Sequence, residues 1–321
     1  MRGLLVVYRK ELEDHFSSTR FTLLLTVILM VSLIMAFVTG AGLKKALEGF
    51  AQPTLVFLML YTSAGALFSL AQFVAFFGPL IGLVLGFDAI NRERVARTLS
   101  KLLAQPIYRD AVINGKFVAG LTTVAVLLTS IVVLISGLGL WILGVVPGWE
   151  EIGRLALYLV ISVLYVGFWL GVAILSSVLF RGMATSALAV LALWIFLAFF
   201  VPQAAALAAD SLAPLPASVS DADIDTVLRH EQVQRLVSYA SPMTLYSEAA
   251  SVVLDPMRKT TRSLVLMGPV EQFSISRFQS PLPLGESALV VAPHLALLAA
   301  ITLICFGICY GAFMRQEVRA A

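Results

Sequence analysis

The stretch FVAGLTTVAVLLTSIVVLISGLGLWIL, residues 117–143, decides the fold class. It carries no charge over more than the ~20 residues a helix needs to cross ~30 Å of hydrocarbon. Five further runs share this character: Phe21–Val38, Leu55–Phe87, Leu155–Phe180, Ala184–Val201 and Leu289–Phe313. Within the second, Phe68–Phe87 is the clearest part. The whole of Leu55–Phe87 is too long for one straight span, so a tilted or broken helix, or an interfacial piece before the span, is expected. The first run follows a polar segment with acids as well as bases, and it exceeds the ~7–15 apolar residues of a signal peptide. It reads as a retained span.

Composition agrees. Of 321 residues, 60% are hydrophobic and 13% charged, and the mean hydropathy is +0.94. Ordinary soluble domains carry roughly 25% charge. So few charges cannot cover a soluble fold of this size, and disordered, collagen-like and disulfide-stapled classes are excluded. The net charge of +3 gives no sign of nucleic-acid binding. The expected fold is an all-α polytopic membrane protein with six transmembrane helices.

Orientation follows from the bases in short loops. One side carries Arg2, Arg9, Lys10, Arg20, Arg92, Arg94, Arg97, Lys101, Arg109, Lys116, Arg181, Arg315 and Arg319. The other carries Lys44, Lys45 and Arg154. This asymmetry puts both termini in the cytoplasm of a multi-pass plasma-membrane protein. Four regions result: an N-terminal amphipathic interfacial helix at 1–20, helices one to five over 21–201 with a cytoplasmic loop at 88–116, an extracytoplasmic segment at 202–288, and the last helix and tail at 289–321.

Outside the bilayer, Gly3–Thr19 has Leu5, Tyr8, Leu12 and Phe16 at helical spacing, with Arg9, Lys10, Glu13 and Ser17 opposite. Such a helix lies in the membrane interface, either as an anchor or as a lever that carries force from a cytoplasmic partner. In the loop Asp88–Lys116, Val95, Leu99, Leu102 and Leu103 form an apolar stripe, and Glu93 stands four before Arg97 in the favourable order. Pro106 ends that helix. The stripe packs on the chain's own spans or docks a separate subunit. In 202–288, Ile224–Val237 and a segment opening at Ser241-Pro242 read as two helices, forming a cap or a loosely packed insertion that meets an extracytoplasmic partner.

Several chemistries are absent. No G-x-x-x-x-G-K-[ST] occurs, since Gly115-Lys116 has Asp110 at the required offset and Phe117 after it. His15, His230 and His294 lie in three regions, so no metal site is expected. No Lys, Arg, Asp or Glu falls mid-span, which disfavours ion coupling. Cys305 and Cys309 share one helix face and read as small buried hydrophobes. No catalytic residues are assigned. Gly78, Gly82 and Gly86, Gly167 and Gly171, and Gly307 and Gly311 repeat at four-residue spacing, which lets helices approach closely in lipid. Pro79 is placed to kink the second span.

Two stretches together resemble a known family. Tyr8-Arg-Lys-Glu-Leu-Glu-Asp14 is similar to the R-K-E-L-x-[DE] entry of ABC-2 type transporter permeases. Asp88-Ala-Ile-Asn-Arg-Glu93, Thr98-Leu99, Leu102-Leu103, Pro106, Arg109 and Gly115-Lys116 resemble its D-x-[IV]-x-x-E … G-T-L … L-L-x-x-P-[IL]-x-R … G-K pattern. Ser241-Pro-Met-Thr-Leu-Tyr246 resembles the N-P-x-x-x-Y segment of a narrower group, the permease of the nitrous-oxide reductase copper-centre maturation system and gliding-associated relatives. Arg97 stands where the family pattern has glycine. The resemblance implies a permease homodimer, built largely through the first and fifth helices, that binds a separate cytoplasmic ATPase. ATP and Mg belong to that partner; this chain would hold no cofactor and would not itself be an enzyme. It also implies that Arg9, Lys10, Glu11, Asp14, Glu93, Arg97, Thr98, Leu99 and Leu102 couple the two. The rivals are an export permease for drugs, peptides or lipids, a permease that serves maturation of an extracytoplasmic metalloenzyme, and a non-transporting membrane anchor, assembly factor or intramembrane enzyme with no ATPase.

Overall fold

The computed structural model describes residues 2–48, 55–62, 69–98, 108–214, 224–258 and 281–315. Among them every regular element is a helix. Six segments are long and apolar enough to cross a membrane: Thr19–Leu47, Leu70–Val95, Arg109–Leu143, Trp149–Leu179, Met183–Leu212 and Leu284–Arg315.

Helix α1 (Arg2–Ser17) precedes the first span, α2 (Thr19–Leu47). The long apolar run from Leu55 is indeed broken. A 3-10 turn at Val56–Leu58 leads into α3 (Met59–Thr62), and α4 (Leu70–Gly86) begins afresh. A capping box sets its start: the Gln72 amide donates to Ser69 Oγ (3.2 Å) and the Ser69 amide to Gln72 Oε1 (2.9 Å). After α4 come the single turn α5 (Asn91–Val95), α6 (Arg109–Leu143) and α7 (Trp149–Leu179). Helix α7 is the bundle's centre: α4, α6 and, further on, the last two helices all pack on it.

The fifth span is longer than its apolar run. Helix α8 (Met183–Ile195) passes through a π turn (Phe196–Phe200) into α9 (Val201–Leu212). Val201 donates to the Phe196 carbonyl five residues back. Pro202, the expected first residue of the outer segment, sits in the first turn of α9, where a missing amide is tolerated. The helix therefore continues to Leu212, with α10 (Ile224–Ser238) packed along α9.

Helix α11 (Pro242–Leu254) is no loose insertion. Leu245, Tyr246, Ala249, Ala250, Val252, Val253 and Leu254 are each at most 1% exposed, in contact with α4, α7 and the last helix, α12 (Leu284–Arg315). The Tyr246 ring stacks on Tyr165 at 4.5 Å. Its hydroxyl lies 3.1 Å from Ser162 Oγ and donates to the Tyr158 hydroxyl (3.2 Å), so its polar end is satisfied inside the apolar bundle.

Arg154, placed by its position in a short loop, is instead a buried junction. It is fully buried on α7 and donates to Glu150 Oε1 (3.0 Å), the Val253 carbonyl (3.0 Å), Ser287 Oγ (3.2 Å) and the Leu282 carbonyl. One side chain thus ties α7 to α11 and α12. Next to it, Glu151 accepts from the Phe57 amide (3.0 Å) and the Gly148 amide (2.9 Å).

The glycine repeats divide by contact. A Cβ on Gly82 would stand 2.7 Å from the Leu170 amide nitrogen and 2.9 Å from the Trp169 carbonyl carbon. Gly86 meets Ala173 (2.7 Å) and Gly78 meets Val166 (3.0 Å), so this face of α4 lies against the backbone of α7. Gly167 faces Leu121 at 2.8 Å, whereas Gly171 leaves ordinary room beside Phe117 and Cys305. Gly307 and Gly311 meet nothing within 4 Å and lie on the unpacked side of α12. Cys305 and Cys309 are both buried on that helix. Because the obstruction at Gly82 is backbone, Gly82→Ala should force α4 and α7 apart and cost about 1–3 kcal/mol. A lowered midpoint of thermal unfolding in detergent checks this, with Gly307→Ala as the unaffected comparison.

Candidate docking surface

The sequence brings two distant segments to one end of the bundle. Helix α1 lies against α6, and Gly115 makes this close approach possible: a Cβ there would meet Val7 Cγ1 at 2.8 Å. Leu5 and Phe16 of the expected apolar stripe are turned outward, while Val7 and Glu11 face the protein. Tyr8 and Leu12 of the same stripe are half-buried, and the Tyr8 hydroxyl donates to Thr122 Oγ1 on α6 (3.4 Å), so the stripe is shared between the outer and the protein side.

Lys116, one residue on, holds the arrangement. Its Nζ, 4% exposed as a side chain, donates to Glu11 Oε1 (2.8 Å) on α1 and Glu93 Oε1 (2.9 Å) on α5. Lys10 adds contacts to Glu11 and Asp14, both 3.2 Å, and reaches Glu93 at 4.0 Å. Arg20 at the start of α2 pairs with Asp88 (2.7 Å) and lies over the Phe87 ring. These groups line a groove of about 780 Å³ between α1, the α1–α2 corner, the end of α4 and the α5 turn. His15, Arg92 and Thr98 also line it.

Of the residues the resemblance assigns to coupling, Lys10, Glu11, Asp14, Glu93 and Thr98 meet at this groove. Arg9 and Arg97 are exposed. Leu99 and Leu102, with Lys101, Leu103 and Pro106, lie outside the described residues. The expected Glu93–Arg97 helical pair is replaced: Glu93 pairs with Lys116, and Arg97 is beyond the helix end. The G-K match marks Lys116 but gives it no role in coupling. Its partner is 105 residues away in sequence, which no local spacing reveals.

The α5 turn ends in a Schellman motif. Thr98 donates to the Glu93 carbonyl (2.9 Å) and Arg97 to that of Arg94 (3.1 Å). Arg97 occupies the left-handed position at φ 56°. This explains the glycine of the family pattern, because a side chain there costs roughly 1–2 kcal/mol.

Burial alone would raise the Glu11 carboxyl, but Lys116 and then Lys10 outweigh it and hold it below its ordinary value. Burial holds His15 below its ordinary value despite nearby Glu11, Asp14 and Asp88. A depressed carboxylate contributes stability above its unfolded value that is lost as pH falls through its folded one. The hold on α1 should therefore be complete above about pH 5 and fade below about pH 4. Proteolysis of the N-terminal segment across a pH series should accelerate in that window, and Glu11→Gln should flatten the response.

A second polar cluster sits away from this groove, among α11, α12 and the end of α10. Glu248 Oε2 lies 3.1 Å from His294 Nε2 and accepts from the Tyr239 hydroxyl (3.2 Å). It joins three elements much as Arg154 does. Among the described residues no group of three or more His, Cys, Asp and Glu forms a metal centre.

Six helices long and apolar enough to cross a membrane, packed as one bundle with a charged groove at one end, define a multi-pass membrane protein. The chain belongs to the ABC-2 family transporter proteins: the family model matches residues 5–318, nearly its whole length. It is a membrane permease component of an ABC transporter. No curated protein matches it.

Proposed function

We propose that this chain is the permease subunit that couples ATP hydrolysis by a separate ATPase to substrate movement across the cytoplasmic membrane. It works as a homodimer, with the ATPase docked at the groove between α1 and the α5 turn. The observation that carries this reading is the Glu11–Lys116–Glu93 link. It fastens the interfacial helix, the loop after the second span and the third span into one body, so force applied at the surface reaches the spans directly. Family membership supports an ATPase partner in general terms. The two ends of the cycle are two packings of the bundle, and the partner supplies the free-energy difference.

Mass spectrometry of what co-purifies with the tagged full-length chain from gently solubilised membranes tests this. A P-loop ATPase at about one copy per permease is expected, as each permease offers one groove. Clean permease without ATPase, repeated after crosslinking, would overturn the reading in favour of an anchor or assembly factor. The narrower kinship with the nitrous-oxide reductase maturation permease rests on Ser241–Tyr246, which here opens α11 and places Tyr246 in the core. Recovery of an extracytoplasmic metalloenzyme maturation factor in the same experiment would support it.

A further inference from the structure

The charges on the groove and on the α5 turn beside it are not all matched. Each acid on it has an internal cation: Glu11 and Glu93 have Lys116, Asp14 has Lys10, and Asp88 has Arg20. Arg92, Arg97 and Arg181 are exposed and have no acidic partner among the described residues. The sequence between Thr98 and Tyr108 contributes no acid either. Arg94 donates to the Phe180 carbonyl (3.2 Å), which brings this turn beside Arg181 and crowds like charges together. Val95, on the same turn, is 61% exposed.

Arg97 adds a separate observation. It holds a left-handed backbone conformation at the C′ position of a Schellman turn, where glycine is easier. Its side chain makes no ion pair or hydrogen bond among the described residues that would offset the strain. Strain retained at an exposed, unpaired side chain points to use of that side chain in binding.

We propose that Arg97, on the same turn as Arg92 and with Arg181 beside Arg94 of that turn, receives carboxylates from the ATPase, so the partner's docking surface is acidic, with a small apolar contact for the exposed Val95. This rests on the coupling role proposed above. Arginine suits the task because its planar fork takes a carboxylate with two parallel hydrogen bonds. The excess of positive charge also steers the acidic partner to this end of the bundle. Anionic lipid headgroups offer the competing counter-charge; the exposed Val95 and the position of Arg97 on the loop beyond α5 favour a protein surface.

The test uses the full-length permease in detergent and the ATPase recovered with it. A structural role and a binding role for Arg97 predict opposite signs. Arg97→Gly should leave the permease as thermally stable as the parent or more so, yet weaken ATPase binding about 5- to 10-fold at low salt. Arg97→Lys should retain part of the affinity. The combined Arg92→Ala/Arg97→Ala/Arg181→Ala variant should lose about 100-fold, with the difference shrinking as salt rises. Polyglutamate should compete with the ATPase for the parent permease. Undiminished ATPase binding by Arg97→Gly at low salt overturns the proposal. So does a loss confined to retention on phosphatidylglycerol vesicles, which assigns these arginines to lipid. If the parent permease binds no ATPase at all, the coupling reading itself fails, and that outcome is distinct from either.

Discussion

Replacing Lys116 with methionine should be the most damaging single change at the α1 end of this protein. The substitution keeps the length and apolar stem but leaves Glu11 and Glu93 as facing carboxylates, 11% and 12% exposed, with only the half-exposed Lys10 ammonium near them, 3.2 Å from Glu11 and 4.0 Å from Glu93. Removing one partner of a buried ion pair costs about 3–5 kcal/mol, because the remaining charge stays desolvated. Here two charges remain, and they repel. Helix α1 should detach, which would show as faster proteolysis at the N-terminus and a lower unfolding midpoint in detergent. The triple variant Lys116→Met/Glu11→Gln/Glu93→Gln should recover much of the loss, since neutral partners no longer oppose each other. Equal instability of the single and triple variants would place the cost in packing of the lysine stem instead. Transport should fail in the single variant even where the spans still insert.

Arg154→Met should have a comparable effect at the opposite end. The Val253 carbonyl and Ser287 Oγ would each lose a charged donor inside the bundle, and the half-buried Leu282 carbonyl a third. Unsatisfied buried groups cost about 1–3 kcal/mol apiece, so the sum reaches about 3 kcal/mol or more. Glu150 contributes little, being half exposed and able to hydrate. Arg154→Lys should not rescue, because one ammonium cannot serve acceptors spread along a planar fork. Hydrogen exchange read over α11 is the decisive measurement. The amides of 242–254 should exchange much faster in the variant while those of α6 hold.

The six spans were legible because hydrocarbon thickness sets a length that few other elements reach. Helix α11 was legible as a helix, through Ser241-Pro242, but not as a core element. Its 13 residues fall short of a span, and its burial depends on Tyr246 finding Ser162 and Tyr158 on a helix some 80 residues earlier. The fifth span's continuation was hidden because proline at 202 reads as a break, whereas a first-turn proline after a π turn is no break at all. At the groove, motif resemblance brought Glu11 and Glu93 forward and quoted Lys116 with the G-K pattern without giving it a role, while Arg154, at the other end, was lost in a tally of basic residues. A count of charges tells which side a loop faces; it does not tell which lysine is buried. The departure at Arg97 was visible as a missing glycine, and only the backbone angle gave it a meaning.

The separation of Glu11 from Lys116 sets an order of events during synthesis. A ribosome adding about 5–20 residues per second needs about 5–20 s to pass from one to the other. Until the third span has emerged, the first helix has an acid ready and nothing to fasten it to. A nascent chain halted before residue 116 therefore lacks the cation that fastens its first helix to the bundle.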